Sequence, residues 1–294
     1  MKKRRIKRET LAAYGFLAPN IIGFFAVSII PVIASFGLSF TEWRLVDPPR
    51  FNGFANYIDL LQRDRFWTVM GNTLYYTIGV VPLGMLFALL LALLLNQKLR
   101  GIYVFRTMYF LPVVSSTVAV ALLWRWLYAR DIGLIAYLLG LIGIDAPDFL
   151  FSTFWPMPSV IIMNIWRGLG FNIVLFLAGL QGISTSYYEA AAIDGANAWQ
   201  KFRHITMPLL TPTTFFILIM SIIGSFQVFE QIMMLTDGGP AFRTTTLVYY
   251  IYLNGFVWAD MGVASAMAWV LFLIVLTLTL IQWRSQERWV HYEQ

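Results

Sequence analysis

The 294-residue sequence contains no cysteine and only two histidines. Without cysteine the chain can form no disulfide, hold no metal through a thiolate and use no cysteine nucleophile. Both histidines, His204 and His291, fall in polar segments, and no cluster of His, Asp and Glu converges elsewhere. The sequence therefore predicts no metal site, no catalytic residue and no cofactor, which argues against a membrane-embedded enzyme.

Charged residues are also scarce. They make up 12% of the chain, against 59% hydrophobic residues, whereas soluble domains contain about 25% charged residues. Several apolar runs reach about 20 residues, the length that a helix needs to cross the hydrocarbon core of a bilayer. Runs such as LGMLFALLLALLL do not alternate apolar with polar residues, so they predict helices and not the strands of a membrane barrel. The expected fold class is all-α, in a polytopic membrane protein.

Six segments are apolar and long enough to span the membrane, and they predict a single transmembrane domain over residues 1–294. The predicted spans are 12–38, 72–96, 108–128, 158–181, 212–235 and 262–283. The basic N-terminus begins like a signal peptide. The apolar run that follows is too long for one and has no evident cleavage site, so we interpret it as a retained first span.

The distribution of lysine and arginine predicts the orientation, because short cytoplasmic loops are enriched in these residues. Thirteen lie on the side of both termini and of a polar segment at residues 183–211: Lys2, Lys3, Arg4, Arg5, Lys7, Arg8, Lys98, Arg100, Arg106, Lys201, Arg203, Arg284 and Arg288. Six lie on the other side: Arg44, Arg50, Arg63, Arg65, Arg130 and Arg243. Both termini and the polar segment are therefore predicted to be cytoplasmic. The net charge of +6 implies no nucleic acid, since binding of the basic N-terminus to membrane lipid accounts for it.

No energy source is evident in the chain itself. A phosphate-binding loop needs Gly-Lys followed by Ser or Thr, and none of the lysines follows a glycine. A proton-driven carrier usually holds acidic or histidine residues inside its spans, but only Glu230 comes close to this, towards the outer end of the fifth span. Both absences favour a passive gate driven by a separate ATPase. A self-sufficient secondary carrier or channel is the alternative.

The polar segment (residues 183–211) is predicted to begin with a short helix. Ser186 and Glu189 have the spacing of a capping box at the start of that helix. Asp194 and Gly195 are expected to end it, because glycine adopts left-handed backbone angles without steric cost.

A second short helix is predicted over about residues 198–205. It should carry Trp199 and Phe202 on one face and end at Met207-Pro208, because proline disfavours a helical residue before itself. The two helices could form an amphipathic hairpin that rests on lipid. They could instead form a rigid lever that contacts a soluble cytoplasmic partner.

The order of residues in the polar segment follows a known pattern. Glu189-Ala190-Ala191 is followed after three residues by Gly195, and after nine more by Ile205-Thr206-Met207-Pro208. This spacing resembles the EAA loop of binding-protein-dependent ABC importer permeases, with Met207 in place of Leu as the one departure. Stretches such as FNGFANYIDLL, LLWRWLY and IWRGLGFNIVLFLAGLQGI are similar to those of the carbohydrate branch of that family, the maltose-type and glycerol-phosphate-type permeases.

The resemblance implies a type I ABC importer permease fold with six transmembrane helices. In such importers the loop forms coupling helices that dock on the cytoplasmic ATPase, which implies the following coupling residues: Glu189, Ala190, Ala191, Asp194, Gly195 and Pro208. The implied partners are a second homologous permease, a dimer of ATP-binding cassette subunits, an extracytoplasmic solute-binding protein and a small carbohydrate substrate. Most of the specificity would rest with the binding protein.

Polar residues inside membrane helices are costly and often mark a solute pathway. In the fourth span Asn164, Gly168 and Asn172 recur every four residues, on one helix face, and Ser221 and Ser225 share a face in the fifth. Maltose-type permeases hold sugar between these two spans. The resemblance therefore implies the following substrate-path residues: Asn164, Arg167, Gly168, Phe171, Ser221 and Ser225. Helix packing through small residues is the alternative.

Arg167 has more than one interpretation. Its guanidinium suits bidentate recognition of a phosphate or an acidic sugar. It could also pair with Glu230 or extend towards the outer surface of the membrane. Pairing within the protein is the interpretation that we favour from the sequence.

Overall fold

The computed structural model describes residues 8–97 and 100–291. Part of the orientation argument rests on basic residues that lie outside the described ones: Lys2, Lys3, Arg4, Arg5, Lys7 and Lys98. Contacts divide the chain into two compact units, one formed by residues 1–62 and 251–270 and the other by residues 63–250 and 271–294.

Nearly all regular structure is helical. The first elements in chain order are α1 (Arg8–Phe24), α2 (Ile30–Leu38), β1 (Thr41–Glu42), β2 (Arg50–Phe51), α3 (Ala55–Gln62), α4 (Asp64–Leu95), α5 (Ile102–Val114), α6 (Thr117–Leu127) and α7 (Leu134–Leu141). The later ones are α8 (Pro156–Gly182), α9 (Thr185–Ile193), α10 (Ala198–Lys201), α11 (Met207–Leu209), α12 (Thr211–Phe226), α13 (Glu230–Leu235), α14 (Leu247–Tyr252) and α15 (Met261–Gln286). Single π-helical turns follow α1, α10 and α14. Within the described residues the one sheet is the antiparallel pair of β1 and β2. The predicted all-α class is confirmed.

Four helical runs are long and apolar enough to cross a membrane by themselves: Ala12–Leu38, Asp64–Leu95, Pro156–Gly182 and Met261–Gln286. Two further pairs of helices meet the same criterion only when each pair is taken together. The axes of α5 and α6 are bent by 101°, and those of Ala198–Leu209 and α12 by 60°. The described part of the chain thus holds four candidate spans, or six if each bent pair crosses once.

The predicted third span, 108–128, differs most from the helices observed. It contains the break between α5 and α6, where Ser115 has an extended backbone. Pro112 lies in the last turn of α5 and has no N–H to donate, and the Ser115 hydroxyl donates to the Leu111 carbonyl at 3.0 Å. Both features weaken the regular helical ladder. The apolar composition continues through the break, which is why the sequence predicted one continuous helix.

The predicted fifth span, 212–235, is also two helices, because α12 ends at Phe226 and α13 begins at Glu230. The intervening backbone finds a partner elsewhere in the same unit, since the buried Thr246 hydroxyl donates to the Val228 carbonyl at 3.0 Å. The predicted second span, 72–96, corresponds to α4, which begins earlier than predicted, at Asp64. Its first turns bury Phe66 and Val69, and Asn72 donates to the carbonyl of Phe242 at 2.7 Å.

The first unit is organised by a polar network at the end of α2. Asn56 of α3 donates to the carbonyl oxygens of Ser39 and Thr41, both at 2.9 Å. The Tyr57 hydroxyl donates to the Ser39 hydroxyl at 2.7 Å. Since Ser39 and Asn56 are buried, these bonds satisfy groups that would otherwise be costly, and they fix α3 against the end of α2.

The core of the second unit lies among α4, α8 and α12. Its buried residues include Ala88 and Ala92 of α4, Ile173 and Phe176 of α8 and Ile217 of α12. Lipid tails are as apolar as these side chains, so association of membrane helices depends on close packing. The alanines of α4 let the larger residues of α8 approach its backbone.

The helices α5 and α8 approach each other closely at Gly170. A Cβ atom at this position would overlap the carbonyl oxygen of Tyr109 and lie 2.8 Å from the Val113 side chain. Because the first of these obstacles is backbone, rotation of a side chain cannot make room. Gly170 is therefore required for this helix contact.

Gly170→Ala should lower the free energy of unfolding by about 1–3 kcal/mol, the usual cost of overpacking a tight contact. The measurement is thermal unfolding of the detergent-purified protein, followed by tryptophan fluorescence. Gly182→Ala is the matched control in the same helix, because a Cβ at Gly182 meets no atom within 4 Å. Equal melting temperatures for the two variants would contradict the steric argument.

Candidate functional site

A cavity of about 360 Å³ lies among α4, α5, α8, α12 and α13. Every residue predicted for the substrate path borders it: Asn164, Arg167, Gly168, Phe171, Ser221 and Ser225. The spacing of four residues places the α8 members on one helix face. Gly168 leaves that face open, because a Cβ there would meet no atom within 4 Å. The structure brings this set together, and its part in transport stays a prediction.

The two serines of α12 have different surroundings. Ser225 is 4% exposed, and its hydroxyl bonds to Thr77 at 3.0 Å and to the Ile222 carbonyl at 2.8 Å. Ser221, one turn earlier, is only partly buried, and its hydroxyl bonds to no described residue. Ser225 thus joins α12 to α4, whereas Ser221 leaves a hydroxyl available in the cavity.

Several lining residues were not among those predicted. Gln231 of α13 donates to the Asn164 side-chain oxygen at 3.1 Å, and Asn172 lies one turn beyond Gly168 on α8. Asn172 could have been included from its spacing. Val80 and Gly84 come from α4, and nothing in an apolar span distinguishes them from residues that face lipid.

Arg167 has a different partner from the one that the sequence favoured. Its Nη2 donates to the Thr117 hydroxyl at 2.6 Å, and no ion pair with Glu230 forms between these described residues. The predicted pairing with Glu230 is therefore wrong. The physical reason is the break in the third span, because it begins a new helix at Thr117 and places that residue against α8. Glu230 instead occupies the exposed first turn of α13.

The first helix of the polar segment ends in a left-handed turn. Gly195 has φ of +79°. Its N–H donates to the Ala192 carbonyl at 3.1 Å, and the N–H of Ala196 donates to the Ala191 carbonyl at 2.8 Å. This pair of bonds is a Schellman motif, and the predicted stop at Asp194-Gly195 is confirmed. A Cβ at Gly195 would meet no atom within 4 Å, so the backbone conformation alone requires glycine.

The start of that helix differs from the prediction. Ser184 is the N-cap, and its hydroxyl oxygen accepts the N–H of Ser186 at 3.4 Å. The predicted capping box of Ser186 with Glu189 is wrong, because α9 begins earlier, at Thr185, and Ser186 lies inside its first turn.

A capping box occurs instead at the start of the second helix. Gln200 N–H donates to the Asn197 side chain at 2.9 Å, and Asn197 N–H donates to the Gln200 side chain at 2.8 Å. This capping box was not among the sequence predictions, although its Asn-x-x-Gln spacing could have indicated it. The predicted end of this helix before Pro208 is wrong as well. A π-helical turn, Phe202–Thr206, leads directly into α11, so the helical backbone continues through Met207 and Pro208 to Leu209.

One side chain contact braces the two helices of the polar segment, and much of their surface is exposed. The hydroxyls of Tyr188 and Thr206 are 2.9 Å apart and hydrogen-bonded. The rings of Trp199 and Phe202 pack with centroids 5.5 Å apart, which confirms their predicted common face. Ile193 is 87% exposed and Trp199 66% exposed. The segment is therefore a braced helical hairpin with an uncovered apolar surface.

Comparison with known families concerns the same part of the chain. Residues 81–289, which include the polar segment and most of the cavity, match the family described as the inner membrane component of binding-protein-dependent transport systems. The chain belongs to this family. Its members are transport permeases that act as components of binding-protein-dependent systems, which disfavours the alternative of a self-sufficient carrier.

Relatives of the permease are similar to it in sequence over nearly its whole length. It is 39% identical to the "Probable ABC transporter permease protein YesP" of Bacillus subtilis (strain 168), covering 99% of this chain and 96% of YesP. It is 35% identical to the arabinooligosaccharides transport system permease protein AraP of the same organism, covering 92% of this chain and 87% of AraP.

A solved structure has the same fold as the permease. One chain of a bacterial alginate ABC transporter, crystallised in complex with alginate pentasaccharide-bound periplasmic protein, superposes on the permease with a TM-score of 0.85. The two chains are 29% identical, and the match covers 96% of each. The predicted type I importer permease fold is confirmed, and the protein is the membrane permease component of an ABC importer.

Ser225→Ala should destabilise the permease by about 0.5–1.5 kcal/mol, because it removes a buried hydrogen bond to Thr77. Ser221→Ala, the same change one turn away on α12, should leave the melting temperature of the purified protein unchanged. Equal destabilisation by both changes would mean that Ser221 is also a packing residue.

Proposed function

We propose that the permease forms half of the translocation pathway of an ATP-driven importer for a carbohydrate. The similarity to AraP, named for arabinooligosaccharides, and to the alginate transporter supports this substrate class. The cavity volume of about 360 Å³ falls in the usual range of small-molecule sites, about 300–1,000 Å³. We further propose that the substrate passes along the six cavity residues predicted from the sequence.

The proposed coupling mechanism rests on one observation. The polar segment joins α8 and α12, the two helices that supply most of the residues lining the cavity. α8 ends at Gly182 and α9 begins at Thr185, while α11 ends at Leu209 and α12 begins at Thr211. These connections are too short to absorb much motion. A displacement of the polar segment would therefore move α8 and α12, and with them the cavity wall.

The partner for that displacement is proposed to be a dimer of ATP-binding cassette subunits. The small side chains of α9 allow close approach, and the turn at Gly195 fixes the hairpin. The proposed coupling residues are Glu189, Ala190, Ala191, Asp194, Gly195 and Pro208. ATP can shift the permease between inward-facing and outward-facing states only if the two states differ in their affinity for the ATPase or its nucleotide.

The remaining partners belong to the same proposal. A second homologous permease would complete the pathway, and an extracytoplasmic binding protein would deliver the solute. Both termini and the polar segment would be cytoplasmic, and all spans would form a single transmembrane domain surrounded by lipid. The bias of lysine and arginine towards one side supports this orientation.

The decisive experiment is isolation of the tagged permease from its native membrane in mild detergent, followed by mass spectrometry of the proteins that accompany it. We expect an ATP-binding cassette protein and a second membrane permease, with ATP hydrolysis by the isolated complex. Recovery of this chain alone, with transport in liposomes that needs no ATP, would overturn the proposal.

Gly195→Val should uncouple transport from ATP hydrolysis and lower substrate uptake about 5-fold or more, because a β-branched residue at positive φ costs about 1–3 kcal/mol. Gly195→Asn is the matched control and should retain most of the activity, since Asn tolerates the left-handed region. Both variants should reach the membrane in normal amounts. Full activity of the Val variant would show that the shape of this turn is not needed for coupling.

Orientation can be tested with single cysteines, because the chain has none of its own. Ile193→Cys and Ile132→Cys replace residues that are 87% and 74% exposed. A membrane-impermeant maleimide should label Cys at 193 only in inside-out vesicles and Cys at 132 only in right-side-out vesicles. Labelling of both from one side would contradict the proposed topology.

A further inference from the structure

The electrostatic character of the cavity is set by one residue. Arg167 is the only charged side chain among the described residues that line it, and no carboxylate borders the cavity to balance the charge. Thr117 accepts a hydrogen bond from the guanidinium, but a hydroxyl carries no charge. The cavity thus presents an uncompensated positive charge.

The guanidinium of Arg167 also has N–H donors that its bond to Thr117 does not use. Arginine carries five N–H donors in a planar fork, and the bond to Thr117 uses Nη2. Nε is buried and has no hydrogen-bond partner within the part of the chain that the structure describes. Because Nε has almost no accessible surface, a bound group would meet the terminal N–H groups that the bond to Thr117 does not use.

The rest of the cavity has the chemistry of a sugar site. Asn172 and Ser221 contribute an amide and a hydroxyl, and both groups can bond to sugar hydroxyls. Phe171 is 45% exposed and gives the cavity an aromatic surface. These neutral groups suit a carbohydrate ring, but none of them matches the charge of Arg167.

We propose that the cavity selects a carbohydrate that carries an oxyanion, either a carboxylate or a phosphate, and that Arg167 binds this group. The inference rests on the proposed carbohydrate-transport function and specifies its substrate class. Paired N–H donors of a guanidinium bind both oxyanions in bidentate geometry, and such charge-assisted bonds are stronger than neutral ones. A neutral sugar would leave the charge of Arg167 unpaired and would bind more weakly.

The test is direct binding of sugars to the isolated transporter in lipid nanodiscs, titrated by saturation-transfer difference NMR. The probes are glucuronate, glucose 6-phosphate and glucose. At least one acidic probe should bind about 10-fold more tightly than glucose, the ratio expected for one charge-assisted hydrogen bond. The better of the two acidic probes identifies the oxyanion as carboxylate or phosphate.

Arg167→Gln should abolish this preference, so that glucose and the acidic probes bind with equal affinity. Arg167→Lys keeps the charge without the planar fork, so it should retain a weaker preference, and it decides the matter if the Gln variant does not fold. Arg125→Gln is the matched control. Arg125 lies in α6 outside the cavity lining, and its Nη1 bonds to the Met234 carbonyl at 3.4 Å.

Three results would overturn the inference: equal affinity for glucose and the acidic probes, an acid preference that survives Arg167→Gln, or no binding of any probe. None of them would bear on the importer assignment, which co-purification of the ATPase and ATP hydrolysis test independently. If no ATPase co-purified but the preference for acidic sugars remained, the inference would hold and the proposed function would fail. The protein would then have a charged sugar site without being driven by ATP.

Discussion

The structure depends on the need of each polar group in a bilayer to find a partner within the protein. Hydrocarbon supplies no hydrogen bonds, so the backbone of each span must satisfy itself as a helix. Polar side chains within the spans follow the same rule. Thr73 donates to the carbonyl one turn before it, at 2.9 Å, and Ser225 donates to Thr77 at 3.0 Å. Exceptions to this rule therefore stand out as places where the helical scaffold serves another purpose.

Two breaks in the helices border the cavity. α5 and α6 part at Ser115 and Ser116, and α12 and α13 part after Phe226. Irregular backbone at membrane depth is tolerated where it is buried in protein or borders a cavity. Here side chains from elsewhere in the same unit stabilise the breaks, since Arg167 bonds to Thr117 and Thr246 bonds to the Val228 carbonyl. The broken helices and the charged cavity are thus parts of one arrangement.

The shape of the polar segment is stabilised in a different way. Outside the hydrocarbon, short helices gain little from packing and depend on their ends. α9 is closed by a Schellman motif at Gly195, and α10 is opened by the capping box of Asn197 and Gln200. The bond between Tyr188 and Thr206 then holds the two helices together. Their shape is set locally, which leaves exposed residues such as Ile193 uncovered.

Properties that follow from local chemistry could be predicted from the sequence alone. Apolar run length determined the helical class, glycine determined the turn at Gly195, and the spacing of four residues placed Asn164 and Gly168 on one face. The sequence could not predict the break before Thr117 or the partner of Arg167. Those depend on contacts between residues far apart in the chain, 50 positions for Arg167 and Thr117 and 148 for Ser225 and Thr77. Hydrophobicity records only that a residue is compatible with a bilayer. Which polar groups meet inside it was decided by tertiary packing, because each group accepts whichever partner the neighbouring helices bring within hydrogen-bond distance.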